Sequence, residues 1–348
     1  MIWLTWRQFR AQAIAAVAIL AAAAAYFVVT GLGMHHSYAT DLASCTVQND
    51  CGTLLNQLRY NYDSQFNLAE ILVVAAPALI GIFWGAPRIG RELENGTHQV
   101  AWNQSVTRTR WLAIKLVGVG LASVATAGVL SYLLTWWAAP LDQIDGSRFA
   151  AMTFSTRDIV PLAYAAFAFA LGTVAGLLLR RTIPAMAVTL AVFIGVQVLV
   201  PTMIRPNLLP STTVTYALNA SSLSQANGIF GQGGGTGDFD ISGLGVSQGA
   251  WVLSSTPVEY SSGQDVTMSA VQSCLPTPDS GGGKLTSGVA TTFAQFGACI
   301  AHDNLHESVT YQPSSHYWPI QWFESGLFLV FTALLSGACF WWIRRRQN

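Results

Sequence analysis

The sequence predicts an α-helical integral membrane protein with six transmembrane helices, an N-terminal interfacial helix and a large extracellular α/β cap between the fifth and sixth helices. Only 10% of the 348 residues are charged, against about 25% in soluble domains, and the mean hydropathy is +0.41. Apolar runs recur along the chain, each near the roughly 20 helical residues that cross a bilayer. The formal net charge of +0 gives no electrostatic reason to expect nucleic acid as a partner.

Six runs are predicted to cross the membrane, because a helix satisfies its own backbone hydrogen bonds in lipid. They are Ala11 to Leu32, Leu68 to Pro87, Leu112 to Ala138, Ile159 to Leu179, Ile183 to Ile204 and Phe323 to Ile343. The first run is rich in Ala and follows Arg7 and Arg10, so a signal peptide is the alternative interpretation. However, "MIWLTWRQFR" repeats Trp3, Trp6 and Arg10 at about one helical turn, which favours an interfacial helix.

The distribution of Lys and Arg predicts the orientation of these spans. The short connections on one side, together with both termini, hold 12 of the 17 basic residues, so the positive-inside rule places both termini in the cytoplasm. Residues 33–67, 139–158 and 205–322 then face outward. The predicted divisions are a transmembrane region at 1–204, an extracellular domain at 205–322, and a sixth helix with a basic tail at 323–348.

The predicted extracellular domain has the composition of a small mixed fold. "NGIFGQGGGTGDFDISGLG" indicates a flexible loop, because Gly and Ser dominate it. Short β-type runs flank that loop: "TTVTYAL", "GAWVLSS" and "DVTMSAV". A helical segment, "VATTFAQFGACIAHDNL", follows before the chain re-enters the membrane. These patterns predict an α/β cap.

Four of the five cysteines fall in segments that are predicted to face an oxidising exterior. Cys45 and Cys51 share the first outer segment, and Cys274 and Cys299 share the cap. Pairing within each segment is the simplest of the three connectivities that four cysteines allow, and free thiols are the alternative. Cys339 lies in the sixth span, where a thiol packs as a small hydrophobic group.

The stretches that suggest chemistry are incomplete as motifs. "SGGGKLTSG" resembles a phosphate-binding loop, but Pro278 replaces its first glycine and Leu285 replaces the hydroxyl residue that binds Mg²⁺. His302 and His306 lie four residues apart, as zinc ligands on a helix do, although solvated surface histidines are the simpler interpretation. The sequence therefore predicts no catalytic residue, no metal site and no cofactor on this chain.

A charged connection lies between the second and third spans. "GRELENGTHQVAWNQSVTRTRWLAIK", residues 90–115, holds two acids and four bases in an otherwise apolar region. We predict a short helix that ends at Asn95-Gly96, with Glu92 and Glu94 facing away from the membrane to dock a soluble partner. Four basic residues are expected to hold the connection at the anionic inner leaflet: Arg88, Arg108, Arg110 and Lys115. The alternative is a basic loop that only sets topology.

Polar residues within the spans are candidates for a substrate pathway, because such residues are costly in lipid. They are Glu70, Gln197 and Glu324. Both glutamates lie near the predicted outer interface, so snorkelling to the headgroups is the alternative interpretation. The spans carry no regular line of acids and no internal repeat, which argues against an ion-coupled carrier and for energy from another subunit.

Residues 85–116 and both ends of the chain resemble the actinobacterial ABC transporter permeases of the type-2 exporter class. The matching segments are "GAPRIGRELENGTHQVAWNQSVTRTRWLAIKL", "MIWLTWRQFRAQ" and "VTYQPSSHYWPIQWFESGLFLVFTALLSGACFWWIRRR". The residues on the family pattern are Glu92, Gly96, Thr97, Trp102, Gln104, Arg108, Trp111, Lys115, Tyr311, Pro313, Trp318, Gln321 and Glu324. His316 stands where the family pattern has Arg.

The resemblance implies a membrane subunit that dimerises and pairs with two copies of a separate ATPase, which binds ATP and Mg. It also implies that the protein lies in the plasma membrane of a bacterium. We predict that the ATPase-coupling loop consists of Arg91, Glu92, Glu94, Gly96, Thr97, Gln104 and Arg108. The expected function is export of an amphipathic substrate such as a drug, a lipid or a hydrophobic peptide. A membrane receptor or accessory protein with an extracellular sensing domain is the alternative, and a membrane enzyme is a weaker one.

Overall fold

Long helices make up most of the chain. The structure, a computed structural model, describes residues 2–45, 51–94, 107–219, 228–231, 239–242, 246–247, 249–271, 274, 297–300 and 303–346. The helices are α1 (Ile2–Ala43), α2 (Cys51–Ile80), α3 (Ala86–Glu94), α4 (Arg108–Asp145), α5 (Ala151–Thr156), α6 (Val160–Leu179), α7 (Thr182–Leu199), α8 (Met268–Val271) and α9 (Tyr317–Arg346).

Six helices within the described ranges are long and apolar enough to cross a membrane, which confirms the prediction of an α-helical membrane protein. They are α1, α2 with its continuation α3, α4, α6, α7 and α9. Their exposed side chains are largely hydrophobic, as lipid-facing surfaces require. The predicted extracellular position of the cap and the predicted interfacial helix stay predictions. In the backbone, α1 runs without a break from Ile2 to Ala43 and includes that N-terminal segment.

The first two helices extend well beyond their apolar runs. Most of the segment predicted as an outer loop, 33–67, is helical, because α1 continues to Ala43 and α2 begins at Cys51. Polar contacts between helices stabilise these extensions. Arg59 donates to Asp145 at 2.9 Å, and the Tyr38 hydroxyl donates to Gln143 at 2.9 Å. Hydropathy predicts only the end of the apolar run. The helices continue beyond it because these polar pairs stabilise their ends.

The charged connection begins as a continuation of the second span. A π-helical turn, Gly81–Gly85, joins α2 directly to α3, so the helix runs from Cys51 to Glu94. The predicted short helix is present as α3, but it continues the second span instead of forming a separate element. The reason is that Ala86, Pro87 and the residues after them keep the helical backbone, and α3 packs closely against α6.

Small residues allow the second helix to approach α6 at backbone distance. A Cβ atom added to Gly172 would lie 2.3 Å from the carbonyl oxygen of Gly81, and one added to Gly176 would lie 2.5 Å from that of Ala86. A Cβ atom added to Gly85 would lie 2.7 Å from the carbonyl oxygen of Phe169. Spacing of small residues by four is the usual basis of close helix pairs in membranes. This contact fixes the middle of the second helix against α6.

Contacts between the helices define two ends of the bundle. At the end that carries the start of α1 and the end of α9, here called the terminal end, a cluster from four helices packs together: Ile89, Trp111, Leu112, Leu177 and Ile343. At the opposite end, here called the domain end, a second cluster joins α1, α2 and α4: Phe27, Met34, Phe66, Trp137 and Leu141. The termini of the spans thus alternate between two ends, as six consecutive crossings require.

Residues Leu209–His316 form a separate compact unit between α7 and α9. Its strands are β1 (Thr212–Ala217), β2 (Gly228–Gly231), β3 (Phe239–Ser242), β4 (Trp251–Ser255) and β5 (His306–Gln312). One antiparallel sheet has the order β1-β5-β4, and β2 pairs with β3. β1 and β4 lie on two of the three predicted β-type runs. The prediction for the third run, "DVTMSAV", is wrong at residues 268–271, which form α8. The prediction of a flexible loop is wrong at residues 228–231 and 239–242, which form β2 and β3. The central strand, β5, was not predicted.

Candidate functional sites at the two ends of the bundle

Glu92 forms an ion pair within the bundle at the terminal end. Its carboxylate lies 2.5 Å from the ammonium of Lys115, whose side chain is only 5% exposed. That ammonium also lies 4.4 Å from the centre of the Trp111 ring. The prediction that Glu92 faces away from the membrane is therefore wrong, and so is the prediction that Lys115 lies among the headgroups. The pair could not be predicted from local sequence patterns, because the two residues belong to different helices and are 23 positions apart.

Glu94 binds the start of α7. Its Oε2 accepts hydrogen bonds from the Thr182 hydroxyl at 2.8 Å and from the Thr182 backbone N–H at 3.1 Å. These two hydrogen bonds lower the pKa of the exposed Glu94 carboxyl, so it stays ionised at neutral and mildly acidic pH. A carboxylate at a helix N-terminus is also favoured by the helix dipole. Glu94 thus contacts α7 in this structure, rather than extending away from the bundle.

The other members of the predicted coupling loop are only partly described. Arg91 is exposed on α3, and Arg108 is half-buried at the first turn of α4. Gly96, Thr97 and Gln104 lie outside the described residues. Arg88, expected at the headgroups, donates to the Gln12 side chain of α1 at 2.5 Å. Their role as a coupling loop stays a prediction.

A fully buried ion pair joins the end of the fifth span to the sixth span at the domain end. Arg205 donates through Nε to Oε2 of Glu324 at 2.8 Å and through Nη2 to Oε1 at 3.0 Å. The same guanidinium donates to the Ser155 hydroxyl at 2.8 Å, and the Tyr164 hydroxyl donates to Glu324. Neither charged side chain has any exposed surface. A two-bond pair of this kind fixes the relative position of both helices.

Arg157 forms a second buried centre with acids from two helices. It donates to both carboxylate oxygens of Asp142 on α4, at 3.2 and 3.3 Å. Its Nη2 lies 3.5 Å from Oε1 of Glu70 on α2. The Arg157 side chain has no exposed surface, and those of Glu70 and Asp142 are 4% and 9% exposed. One guanidinium therefore holds the second and third spans together.

The turn after α5 is bound to the sixth span by a third polar group. The Tyr317 hydroxyl donates to Asp158 at 2.7 Å, and the Gln321 amide donates to the Tyr317 oxygen at 3.2 Å. Asp158 adopts a left-handed backbone with φ of 56°, and its carbonyl accepts from the Ser131 hydroxyl at 2.9 Å. Residues 151–158, here called the bridge segment, therefore contact four spans through polar side chains.

Two of the predicted pathway residues belong to these networks, and the third does not. Glu70 and Glu324 are both buried in ion pairs, so the interpretation that they snorkel to the headgroups is wrong. Gln197 is half-buried on α7, and its Oε1 is buried without a hydrogen-bond partner among the described residues. Their part in a substrate pathway stays a prediction.

Sequence reasoning missed the two arginines that organise the domain end. Arg157 and Arg205 were assigned to outer loops, because each lies just beyond an apolar run. The available signal was that each basic residue directly borders a span, while acids occupy the outer ends of neighbouring spans. An arginine placed so close to lipid needs a carboxylate partner, which Glu70, Asp142 and Glu324 provide.

Both disulfides have the simplest predicted connectivity. Cys45 bonds to Cys51 with Cα atoms 5.2 Å apart, and Cys274 bonds to Cys299 with Cα atoms 5.7 Å apart. Cys339 is a buried free thiol. Among the described residues, no group of three or more potential metal ligands comes together; His302 is not described.

The unit at residues 209–316 also contains a serine spacing that resembles a hydrolase motif. "GVSQG", residues 245–249, has the G-x-S-x-G spacing of a nucleophilic serine. The strand β4 follows it at Trp251, whereas that motif requires a helix directly after the serine turn. The spacing alone therefore supports no hydrolase site.

The transmembrane part of the chain matches a known family. A family model described as "ABC-2 membrane transporter related" matches residues 17–205, more than half of the chain. The match runs from within α1 to Arg205 and includes Glu70, the α2–α3 helix and the bridge segment. Searches of curated proteins and of solved structures found no match.

Proposed function

The chain belongs to the family of ABC-2 related membrane transporters, and on that premise we propose that it is the permease of an ATP-driven exporter. Family membership identifies a membrane transport component of an ABC transporter. We assign ATP hydrolysis to a separate protein present in two copies, since the lysine-containing glycine stretch of this chain lacks the P-loop residues. A second permease copy completes the transporter. The substrate class that fits membrane extraction is an amphipathic molecule.

The observation that carries the mechanism is the continuous helix from Cys51 to Glu94. Glu70 and Glu92 lie on it 22 residues apart, about 33 Å at 1.5 Å per residue. One carboxylate belongs to the ion centre at the domain end and the other to the pair at the terminal end. A displacement of the terminal end therefore reaches Arg157 through one helix, without passing through a flexible loop.

The close contact with α6 provides the point about which this helix can rotate as a rigid body. Gly81 and Gly85 lie between Glu70 and Glu92, and their backbone touches that of α6. Because the contact leaves no room for side chains, sliding there is sterically opposed and rotation about it is the easier motion. When the ATPase moves α3, the Glu70 end then moves in the opposite sense.

The ion pairs at the domain end hold the exit closed in this proposal. Opening a path between α2, α4 and α9 requires Arg157 of the bridge segment to release Glu70, or Arg205 to release Glu324. Separation of a buried charge from its partner is costly, typically about 3–5 kcal/mol, so the pairs resist spontaneous opening. The ATPase cycle provides the energy that overcomes this resistance.

The test uses inside-out vesicles that contain the permease and its ATPase. Addition of ATP should drive an amphipathic fluorescent dye into the vesicle lumen, and omission of either subunit should abolish the signal. Glu70→Gln keeps the side-chain shape but removes the charge, so it should lower the dye moved per ATP hydrolysed. Asp63→Asn makes the same chemical change in a more exposed ion pair and serves as the matched control.

Two results would contradict the proposal. Dye movement without ATP, or none across a panel of amphiphiles in the assembled complex, would exclude an ATP-driven exporter of such molecules. Binding of a ligand to the unit at residues 209–316 without any transport would instead favour the receptor interpretation. Unchanged coupling in Glu70→Gln would refute the role of the ion centre while leaving the exporter assignment in place.

A further inference from the structure

An apolar groove opens on the membrane-facing surface between α4, α6 and α9. Its volume is about 310 Å³, near the lower end of the range of about 300–1,000 Å³ for ligand pockets. Phe169 and Ala170 of α6 form its buried floor. Its walls come from α4 and α9: Leu116, Val117, Gly120, Leu121, Val124, Thr332, Ser336 and Phe340. The lining is almost wholly hydrocarbon, so the groove fits an alkyl chain rather than a polar ligand.

The depth of the groove places it in one leaflet. Leu121 lies 11 residues after Arg110 on α4, about 16 Å at 1.5 Å per residue. On α9, Ser336 lies eight residues before Arg344, about 12 Å. Half of the hydrocarbon core of a bilayer is about 15 Å thick. The groove therefore occupies the leaflet at the terminal end, and both arginines lie at headgroup level.

Basic side chains border the groove on the headgroup side. Arg110, Val117 and Leu121 share one exposed face of α4, because offsets of seven and 11 residues return to the same side of a helix. Arg344 is exposed one turn beyond Phe340. Neither arginine forms an ion pair with a described residue. The acids described at this end already have partners, Glu92 with Lys115 and Glu94 with Thr182.

We propose that this groove binds one phospholipid with an anionic headgroup, its acyl chain between α4 and α9 and its phosphate at Arg110 and Arg344. The apolar lining matches the chain, and the two cations match the negative charge of the phosphate, which no positive group of the lipid compensates. A zwitterionic lipid has the same acyl chain, but a positive group in its headgroup balances the phosphate charge. Its electrostatic attraction to the two arginines is therefore weaker. The inference concerns a resident lipid and does not depend on which substrate is transported.

The experiment measures lipids that remain bound to the detergent-solubilised permease by native mass spectrometry. Phosphatidylglycerol and phosphatidylcholine with identical acyl chains are titrated in parallel. One phosphatidylglycerol should bind each chain at least tenfold more tightly than phosphatidylcholine. Arg110→Gln or Arg344→Gln should each weaken phosphatidylglycerol binding roughly fivefold, and the double variant should remove the headgroup preference. Arg181→Gln has the same charge change at the same end and should have no effect.

A second variant tests the chain-binding part of the groove. Gly120→Leu points into it, since a Cβ atom there would meet only the Phe169 ring at 3.4 and 3.5 Å. It should reduce binding of both lipids by blocking the chain, although both arginines remain. Gly118→Leu is the matched control, because a Cβ atom at that exposed position of α4 has no neighbour within 4 Å.

Three results would overturn the proposal. Equal affinity for the two lipids would show that the arginines do not bind the headgroup. Unchanged phosphatidylglycerol binding in Gly120→Leu would show that the chain lies elsewhere. A change in oligomeric mass with Gly120→Leu, but not with Gly118→Leu, would show that a second copy of the chain covers the groove. None of these readouts uses ATP or a transported molecule, so they are separable from the test of export.

Discussion

Removal of the Glu324 charge should destabilise the bundle strongly, because Arg205 would then be buried without a counter-ion. Glu324→Gln keeps a side chain of similar size, yet it replaces a two-bond ion pair at 2.8 and 3.0 Å with a neutral contact. Loss of one partner from a buried pair costs about 3–5 kcal/mol. At about 2–4 °C per kcal/mol for a chain region of this size, the melting temperature should fall by roughly 6–20 °C.

The buried thiol of Cys339 provides the assay, since the other four cysteines are in disulfides. A dye that fluoresces after reaction with a thiol reports the temperature at which α9 becomes accessible in detergent. Asp63→Asn affects a more exposed pair and should shift the midpoint by only about 0–4 °C. The double variant Arg205→Met, Glu324→Leu removes both charges and should be more stable than Glu324→Gln alone.

A midpoint for Glu324→Gln that equals the parent value would refute this reasoning. That result would mean that water or a neighbouring group compensates Arg205. A double variant less stable than Glu324→Gln would also contradict it, because the hydrogen bonds to Ser155 and Tyr164 would then outweigh the charge pair.

Three further predictions use the same thermal assay or a simple variant of it. Glu92→Gln should lower the melting temperature by leaving Lys115 buried and unpaired, and the addition of Lys115→Met should restore most of the loss; no restoration would indicate that Glu92 acts on another protein. Gly172→Ala should prevent the close packing of the second span against α6 and lower the free energy of unfolding by about 1–3 kcal/mol. Gly195→Ala, where an added Cβ atom has no neighbour within 4 Å, should leave the melting temperature unchanged. The double variant Cys274→Ser, Cys299→Ser opens a disulfide with a sequence separation of 25 and adds no free thiol that would react with the dye. It should lower the free energy of unfolding of the unit at residues 209–316 by roughly 2–4 kcal/mol, so limited proteolysis should cleave that unit more readily, while the melting temperature of the bundle stays unchanged.

The sequence contained enough information to predict the number and type of the spans. Long runs of apolar residues are an unambiguous signal, because lipid accepts few alternatives to a helix. The ends of the helices were less predictable. α1 extends 11 residues beyond the predicted limit at Leu32, since its polar end is stabilised by contacts such as Tyr38 with Gln143. Such contacts depend on the fold and leave no local pattern.

The candidate sites were predictable by residue type but not by arrangement. Glu70 and Glu324 stood out as acids in apolar surroundings, which the structure explains through two arginines that the sequence had placed in loops. Glu92 was recognised as unusual, yet its partner Lys115 lies on another helix. The strand β5 escaped prediction because its run, "HESVTYQ", contains buried polar residues where an apolar alternation was expected.

Because of the Arg205–Glu324 pair, the stability of the bundle should depend little on the size of the unit inserted between these two residues. Arg205 lies four residues before that unit, and Glu324 lies eight residues after it. The two chain ends that flank the insertion are therefore held together by the bundle itself. For a flexible connection with fixed ends, each doubling of its length costs only about 0.6 kcal/mol. Long additions or deletions between these two residues should consequently be tolerated by the bundle.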